Sequence, residues 1–186
     1  ANTQGLTLNS SNGNITLHGL LNSGNQYTWI DKTTDTNHDW NWARTDAKNG
    51  TAGGAALGDS YMVTITSRLE NAVAGLTAGY RGAWIGAYRT TNGTSTGDAW
   101  YWADGPEAGQ KFFTELAAGG GTAVTGWYSN FGTGEPNGFS CGSNCEGVGQ
   151  FFGSAGQWND LPYSTWFQST QANQYAVLGY VRETNL

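Results

Sequence analysis

The sequence predicts an α+β domain, because helical signals fall early, alternating strand signals fall late, and glycine punctuates the whole. The first helical signal is the Ala-containing stretch from Trp42 to Lys48, stopped by Asn49-Gly50. The second runs from Arg68 to about Leu76. It opens on Ser67 with Glu70 three residues on, a capping box in which each side chain can satisfy a backbone N–H that the first helical turn leaves free.

The strand signals are runs of β-branched and aromatic residues. Asn25–Ile30, Tyr61–Ile65 and the apolar Ala83–Tyr88 each read as strands, with Trp100–Trp102 as the hairpin partner of Ala83–Tyr88. Gln174–Arg182 alternates and reads as a terminal strand. Residues 1–24 are polar, with two short alternating pieces, Gly5–Leu8 and Ile15–Leu17, that would make a small hairpin. They read as an extension or linker, leaving 25–186 as the domain. From Asp104 to about Gln157 the sequence promises little regular structure. Its aromatic residues and both cysteines argue that it is nevertheless ordered, and a long irregular segment of that kind is usually functional.

Composition narrows the function. A chain of 186 residues is one domain's worth and can bury a core without staples. The net charge of −6 argues against nucleic acid and against an anionic membrane surface, both of which need a basic face. No apolar run is long enough to span a bilayer. The two cysteines, Cys141 and Cys145, lack a second pair for a zinc site, so a local disulfide or two free thiols remain. Low charge with much Gly, Thr and Asn suits an extracellular, bacterial surface protein, as a module of a larger multidomain chain.

Two clusters in the irregular stretch carry chemistry: Gly134-Glu135-Pro136-Asn137 and Gln157-Trp158-Asn159-Asp160, with Glu146 between them. Glu135, Asn137, Glu146 and Asn159 can each offer a side-chain oxygen, and Asp160 can offer a carboxylate oxygen and its backbone carbonyl. Together they give roughly six oxygens of the ~6–8 that calcium takes. About two positions then remain for neighbouring hydroxyls of a polyol. Each Glu could accept a hydroxyl proton while each Asn NH2 donates. Pro136 between two ligands reads either as a cis bond that turns Glu135 and Asn137 the same way or as an ordinary trans turn.

These residues resemble a C-type lectin domain, over most of the chain. Glu135-Pro136-Asn137 is similar to that family's mannose-type sugar motif, Trp158-Asn159-Asp160 to its calcium motif, Ala83-Trp84-Ile85-Gly86 to its core strand and Trp100–Gly105 to the aromatic hairpin that follows. Trp42–Lys48 and Ser67–Ala74 resemble its two helices. The resemblance implies a calcium ion on Glu135, Asn137, Glu146, Asn159 and Asp160, and sugars of the mannose, glucose or fucose type. It also implies pairing of the first strand with the last. The four cysteines typical of animal members are missing, with Val148 near the place of one. Cys141 and Cys145 lie instead in an insertion, where a disulfide would shape the rim of the site and bring Phe139, Ser140 and Asn144 to the ligand.

Other readings stand beside this one. A Glu135–Glu146 acid pair could serve a glycosidase, but nothing in the sequence supplies a nucleophile–base pair, and the expectation is that the chain is not an enzyme. A protein- or ice-binding module with a structural calcium ion is the alternative on the same scaffold. Trp158 reads as core. Trp127 and Tyr128 are open between packing and a sugar-stacking surface.

Overall fold

The computed structural model describes residues 25–185 except 53–54, 57–58, 91–98, 117–118, 139–144 and 154–155. The expected hairpin within 1–24 therefore lies outside the described residues. In chain order the elements are β1 (Asn25–Asp31), α1 (Trp40–Lys48), a short pair β2 (Thr51–Ala52) and β3 (Ala55–Ala56), β4 (Ser60–Met62), α2 (Arg68–Thr77), β5 (Ala83–Thr90) and β6 (Ala99–Trp102). There follow β7 (Lys111–Glu115), β8 (Gly121–Ala123), β9 (Glu146–Phe152), β10 (Gln157–Pro162) and β11 (Gly179–Asn185).

Both helices form where their caps place them. Asp39 caps α1, its carboxylate accepting from the Trp42 N–H at 3.0 Å. This starts the helix two residues before Trp42 and buries Trp40 as a core side chain. Ser67 caps α2 by accepting from Glu70 N at 3.1 Å. The reciprocal half of the expected box is displaced: Glu70 reaches back to the N–H and hydroxyl of Thr66, not to Ser67.

The chain ends are zipped together. β1 and β11 pair antiparallel from Asn25↔Asn185 to Asp31↔Gly179, and β11 then lies parallel to β5 and antiparallel to β4. The last strand thus begins at Gly179, five residues later than its alternation suggests, since residues 174–178 form a turn and an approach instead of ladder. Likewise only Ser60–Met62 of the Tyr61–Ile65 run is strand, although Val63 continues by donating to Val181 O at 2.9 Å. Gly86 sits where β5 presses on this segment: a Cβ there would stand 2.7 Å from Met62 O, so no larger residue fits without backbone movement.

From β5 a second set of strands spreads outward, antiparallel through β6, β7 and β8 on one side and through β9 and β10 on the other. This corrects the expectation of little regular structure between Asp104 and Gln157. Lys111–Glu115 and Glu146–Phe152 are strands because they alternate or run apolar against the aromatic core. They were hidden by the glycines around them. Trp100, Trp102, Phe112, Phe151 and Trp158 are buried in one apolar cluster with the inner faces of β5 and α2. Val148, with no exposure, fills a second cluster around Trp40, Trp84 and Tyr180. Among the described residues no helix is long and apolar enough to cross a membrane.

Candidate functional site

Trp158 is the anchor from which the site is built. Its side chain is fully buried, its indole N–H donates to Asn71 Oδ1 at 2.8 Å, and Trp102, Phe112, Tyr128 and Phe131 present edges to it or take its edge. Its backbone binds the incoming loop: Trp158 N donates to Asn130 O at 2.8 Å and Gly132 N donates to Trp158 O at 2.9 Å. That bridge lays residues 130–132 beside the start of β10, so the 135–137 triplet arrives next to Asn159 and Asp160. Trp127 and Tyr128, left open by the sequence, are partly buried and pack on this same core.

The triplet is held from two sides. Asp160, fully buried, accepts from Asn137 N at 3.1 Å and from Gly138 N at 2.9 Å, one bond to each carboxylate oxygen. From the other side Gly120 N, in the β7–β8 connection, donates to Pro136 O at 2.8 Å. The Glu135–Pro136 peptide bond is cis, and Asn137 is exposed to solvent. Asn159, also buried, donates its Nδ2 to Asp160 O at 2.6 Å, which brings its amide against the carbonyl of its neighbour.

Electrostatically, Glu135 is out of balance. Burial first, and then the charge of Asp160 beside it, push its carboxyl up to about 7. Its Oε2 is buried and meets no hydrogen-bond donor among the described residues. Two carboxylates facing each other with an unmet oxygen repel unless a proton or a cation sits between them. A shared proton, or a hard cation of the kind that takes carboxylate and amide oxygens, would relieve that repulsion.

The expected five ligands do not all converge. Glu135, Asn137, Asn159 and Asp160 come together. Glu146, half-buried at the start of β9, stands opposite Pro162. Among the described residues no three His, Cys, Asp or Glu side chains are grouped closely enough to hold a metal ion, so only two of the three carboxylates share a site. Phe139, Ser140, Cys141 and Asn144, expected at the rim, lie outside the described residues, and with Cys141 so does its pairing with Cys145.

One buried ion pair was not anticipated. Arg89, at the end of β5, and Glu115, at the end of β7, form an ion pair at 3.1 Å with both side chains fully buried. The Trp100 indole N–H donates to Glu115 at 3.1 Å, and Arg89 also donates to Cys145 Sγ. Burial raises the Glu115 carboxyl, Arg89 and the Trp100 indole oppose this, and the charge of Asp160 adds to it. The signal was available: a lone Arg in an apolar strand and a lone Glu after Phe112-Phe113 are charges with nowhere to go but to each other.

No protein-family model matches the sequence, and no curated protein matches it. Solved structures do. The C-type lectin CEL-I from Cucumaria echinata is 19% identical, matching 88% of this chain and 91% of its own with a TM-score of 0.52. The C-type carbohydrate-recognition domain of cow CD23, solved in the presence of a GlcNAc2Man3 oligosaccharide, is 19% identical over 91% of this chain and 98% of its own, with a TM-score of 0.54. The human scavenger receptor C-type lectin carbohydrate-recognition domain is 18% identical over 91% and 97%, also at 0.54. The architecture of two helices and a small mixed sheet is the C-type lectin fold.

Proposed function

We propose that this chain is a calcium-dependent carbohydrate-binding module and not an enzyme. The observation that carries the reading is the Glu135–Asp160 carboxylate pair, with its buried unmet oxygen, set beside an exposed Asn137 and the Asn159 amide. Calcium on Glu135, Asn137, Asn159 and Asp160 would relieve the repulsion and present open coordination positions to vicinal hydroxyls. Asp160 serves twice, since the same carboxylate that braces Asn137 and Gly138 would face the ion. Glu146, at the start of β9, is the fifth ligand on this proposal.

The acid-then-amide order of Glu135 and Asn137 favours sugars of the mannose, glucose or fucose type. The lectin names of the structural neighbours, and the mannose-containing oligosaccharide present with cow CD23, support sugars as the ligand class. The low charge and Gly, Thr and Asn content suit a secreted or cell-surface adhesin that holds cells to glycans, with a disulfide between Cys141 and Cys145 shaping the rim and residues 1–24 as the linker.

Calorimetric titration with calcium, alone and with saturating mannose or fucose, tests the reading. The expected result is that sugar tightens calcium and a chelator abolishes sugar binding, as linkage requires. Calcium binding that no sugar alters would leave the ion structural and the sugar reading wrong.

A further inference from the structure

We propose that the ligand is an oligosaccharide whose second unit lies in the groove between β8 and residues 129–134. This rests on the calcium–sugar reading and extends it. The groove is a cleft of about 390 Å3 whose lining includes Glu135, so it adjoins the residue that would hold the first sugar. Its volume falls within the ~300–1,000 Å3 of small-ligand sites.

The two walls offer the groups that a sugar ring uses. β8 is the outermost strand of its sheet. Leu116 N donates to Gly120 O and Val124 N donates to Phe112 O, so the backbone groups of 122 and 124, and the carbonyl of Gly120, face β7. By the alternation of an antiparallel ladder, the N–H and C=O of Gly121 and Ala123 point the other way, along the free edge. Gly121 packs so tightly on β7 that a Cβ there would stand 2.2 Å from Thr114 O and 2.4 Å from the Phe113 ring, so this position of the edge strand has no side chain. Opposite, Phe131 is partly buried against Phe113 and Trp100, with ring centroids at 4.9 and 5.1 Å. Paired backbone donors and acceptors on one side, an aromatic ring on the other and an acidic residue in the lining match a pyranose, with hydroxyls around its rim and C–H groups on its face. A peptide strand adding to the same edge would find only two outward-facing residues, too short a ladder to hold it.

The placement also follows from the surface position of the first site. Asn137 is exposed, so the site at the triplet grips one sugar unit from the side. The next unit, one glycosidic bond away, has the groove as a ready bed.

The test compares methyl α-mannoside with α-mannotriose by calorimetry on the full chain in saturating calcium. The expected result is at least tenfold tighter binding of the trisaccharide. Thr122→Trp and, independently, Ser129→Tyr should each remove that gain by filling the groove, while calcium affinity and monosaccharide affinity stay within twofold of the parent. Two results would overturn the inference: a trisaccharide gain no larger than its threefold count of units, or a gain that survives both substitutions. Failure of the monosaccharide itself to bind in calcium is a separate outcome, which sinks the calcium–sugar reading and this extension with it.

Discussion

Two carboxylates in this molecule are lifted far from their ordinary range, and they are treated in opposite ways. Glu183, on the last strand, is 1% exposed and pushed up to about 8 by burial and then by the charges of Glu70 and Glu107. Both its oxygens are nevertheless met: Asn25 Nδ2 donates to one, and Thr64 N, at 3.1 Å, donates to the other. Glu135 is less buried and is pushed up to about 7, yet one of its oxygens is sealed from water with no donor at all among the described residues. The first is a polar group closed into the framework where the chain ends meet. The second is left unfinished at the surface end of the core. A buried acceptor without a partner costs about 1–3 kcal/mol, and a fold that satisfies Glu183 so fully shows that it has the means to avoid that cost. What sets Glu135 apart from the other buried side-chain atoms without a partner is that a second carboxylate, Asp160, stands beside it, and the proposed ion site rests on that pairing.

A third carboxylate sharpens the contrast and carries the largest expected effect. Glu115 has its own cation, Arg89, and neither side chain touches solvent. Glu115→Ala would strand the guanidinium, at a cost of about 3–5 kcal/mol, read as a lowered urea midpoint. A loss under about 1 kcal/mol would mean that the pair is not the framework element described here.

Next in size is the pH dependence of stability that Glu183 imposes. Its folded value lies above the ordinary 4.5. Below pH 4.5 both states hold the proton and its full contribution is present. As pH rises from 4.5 toward 8 the unfolded chain loses the proton first, so stability falls across that window and then levels. The slope approaches about 1.4 kcal/mol per pH unit at its steepest. Glu183→Gln should flatten it in denaturant titrations at pH 5, 6.5 and 8, and should do so equally with and without calcium. A slope unchanged by the substitution would assign the effect to another group.

Third is Asp160→Asn. The amide keeps one acceptor for the Asn137 and Gly138 N–H groups, so the fold should persist with a modest drop in melting temperature. Calcium affinity should fall about 100-fold or more, the upper end of what losing even an outer partner of a metal costs. Unchanged calcium affinity would place the ion elsewhere. The matching Glu183→Gln should leave it untouched, and that asymmetry is the comparison in its most direct form.

The sequence made the framework legible where local chemistry and tertiary structure agree. Ser67 announced α2, the Ala83–Gly86 run announced the central strand, and Asn25–Ile30 does lie beside the end of the chain. It was least legible where glycine interrupts periodicity. β7 and β8 are short, β9 carries two glycines, and the aromatic core they complete is what makes them strands. In the site, residue types pointed to Glu135, Asn137, Asn159 and Asp160, because acids and amides in glycine loops have few other uses. The double duty of Asp160 as a brace was hidden, since a backbone N–H two dozen residues away leaves no trace in sequence. The Arg89–Glu115 pair was hidden for the same reason. Spacing could place Glu146 in the ligand set but could not show that its strand would start opposite Pro162, because strand register depends on partners far away in sequence.

The smallest effect is the one most specific to Glu135. Without a cation its carboxyl holds a proton below about pH 7, while a calcium ligand must be ionised. Calcium affinity should therefore be flat above pH 7 and fall below it, by up to about tenfold per unit for a single coupled proton. At pH 6 binding should release a proton, so the calorimetric enthalpy should change with the ionisation enthalpy of the buffer. Glu183→Gln should preserve this behaviour, since Glu183 keeps its own donors whether or not calcium is present. Glu135→Gln should abolish it and weaken calcium together. Calcium affinity that stays level from pH 7 to pH 5 would mean that Glu135 and Asp160 do not share an ion, and the unmet oxygen of Glu135 would then mark strain without a ligand.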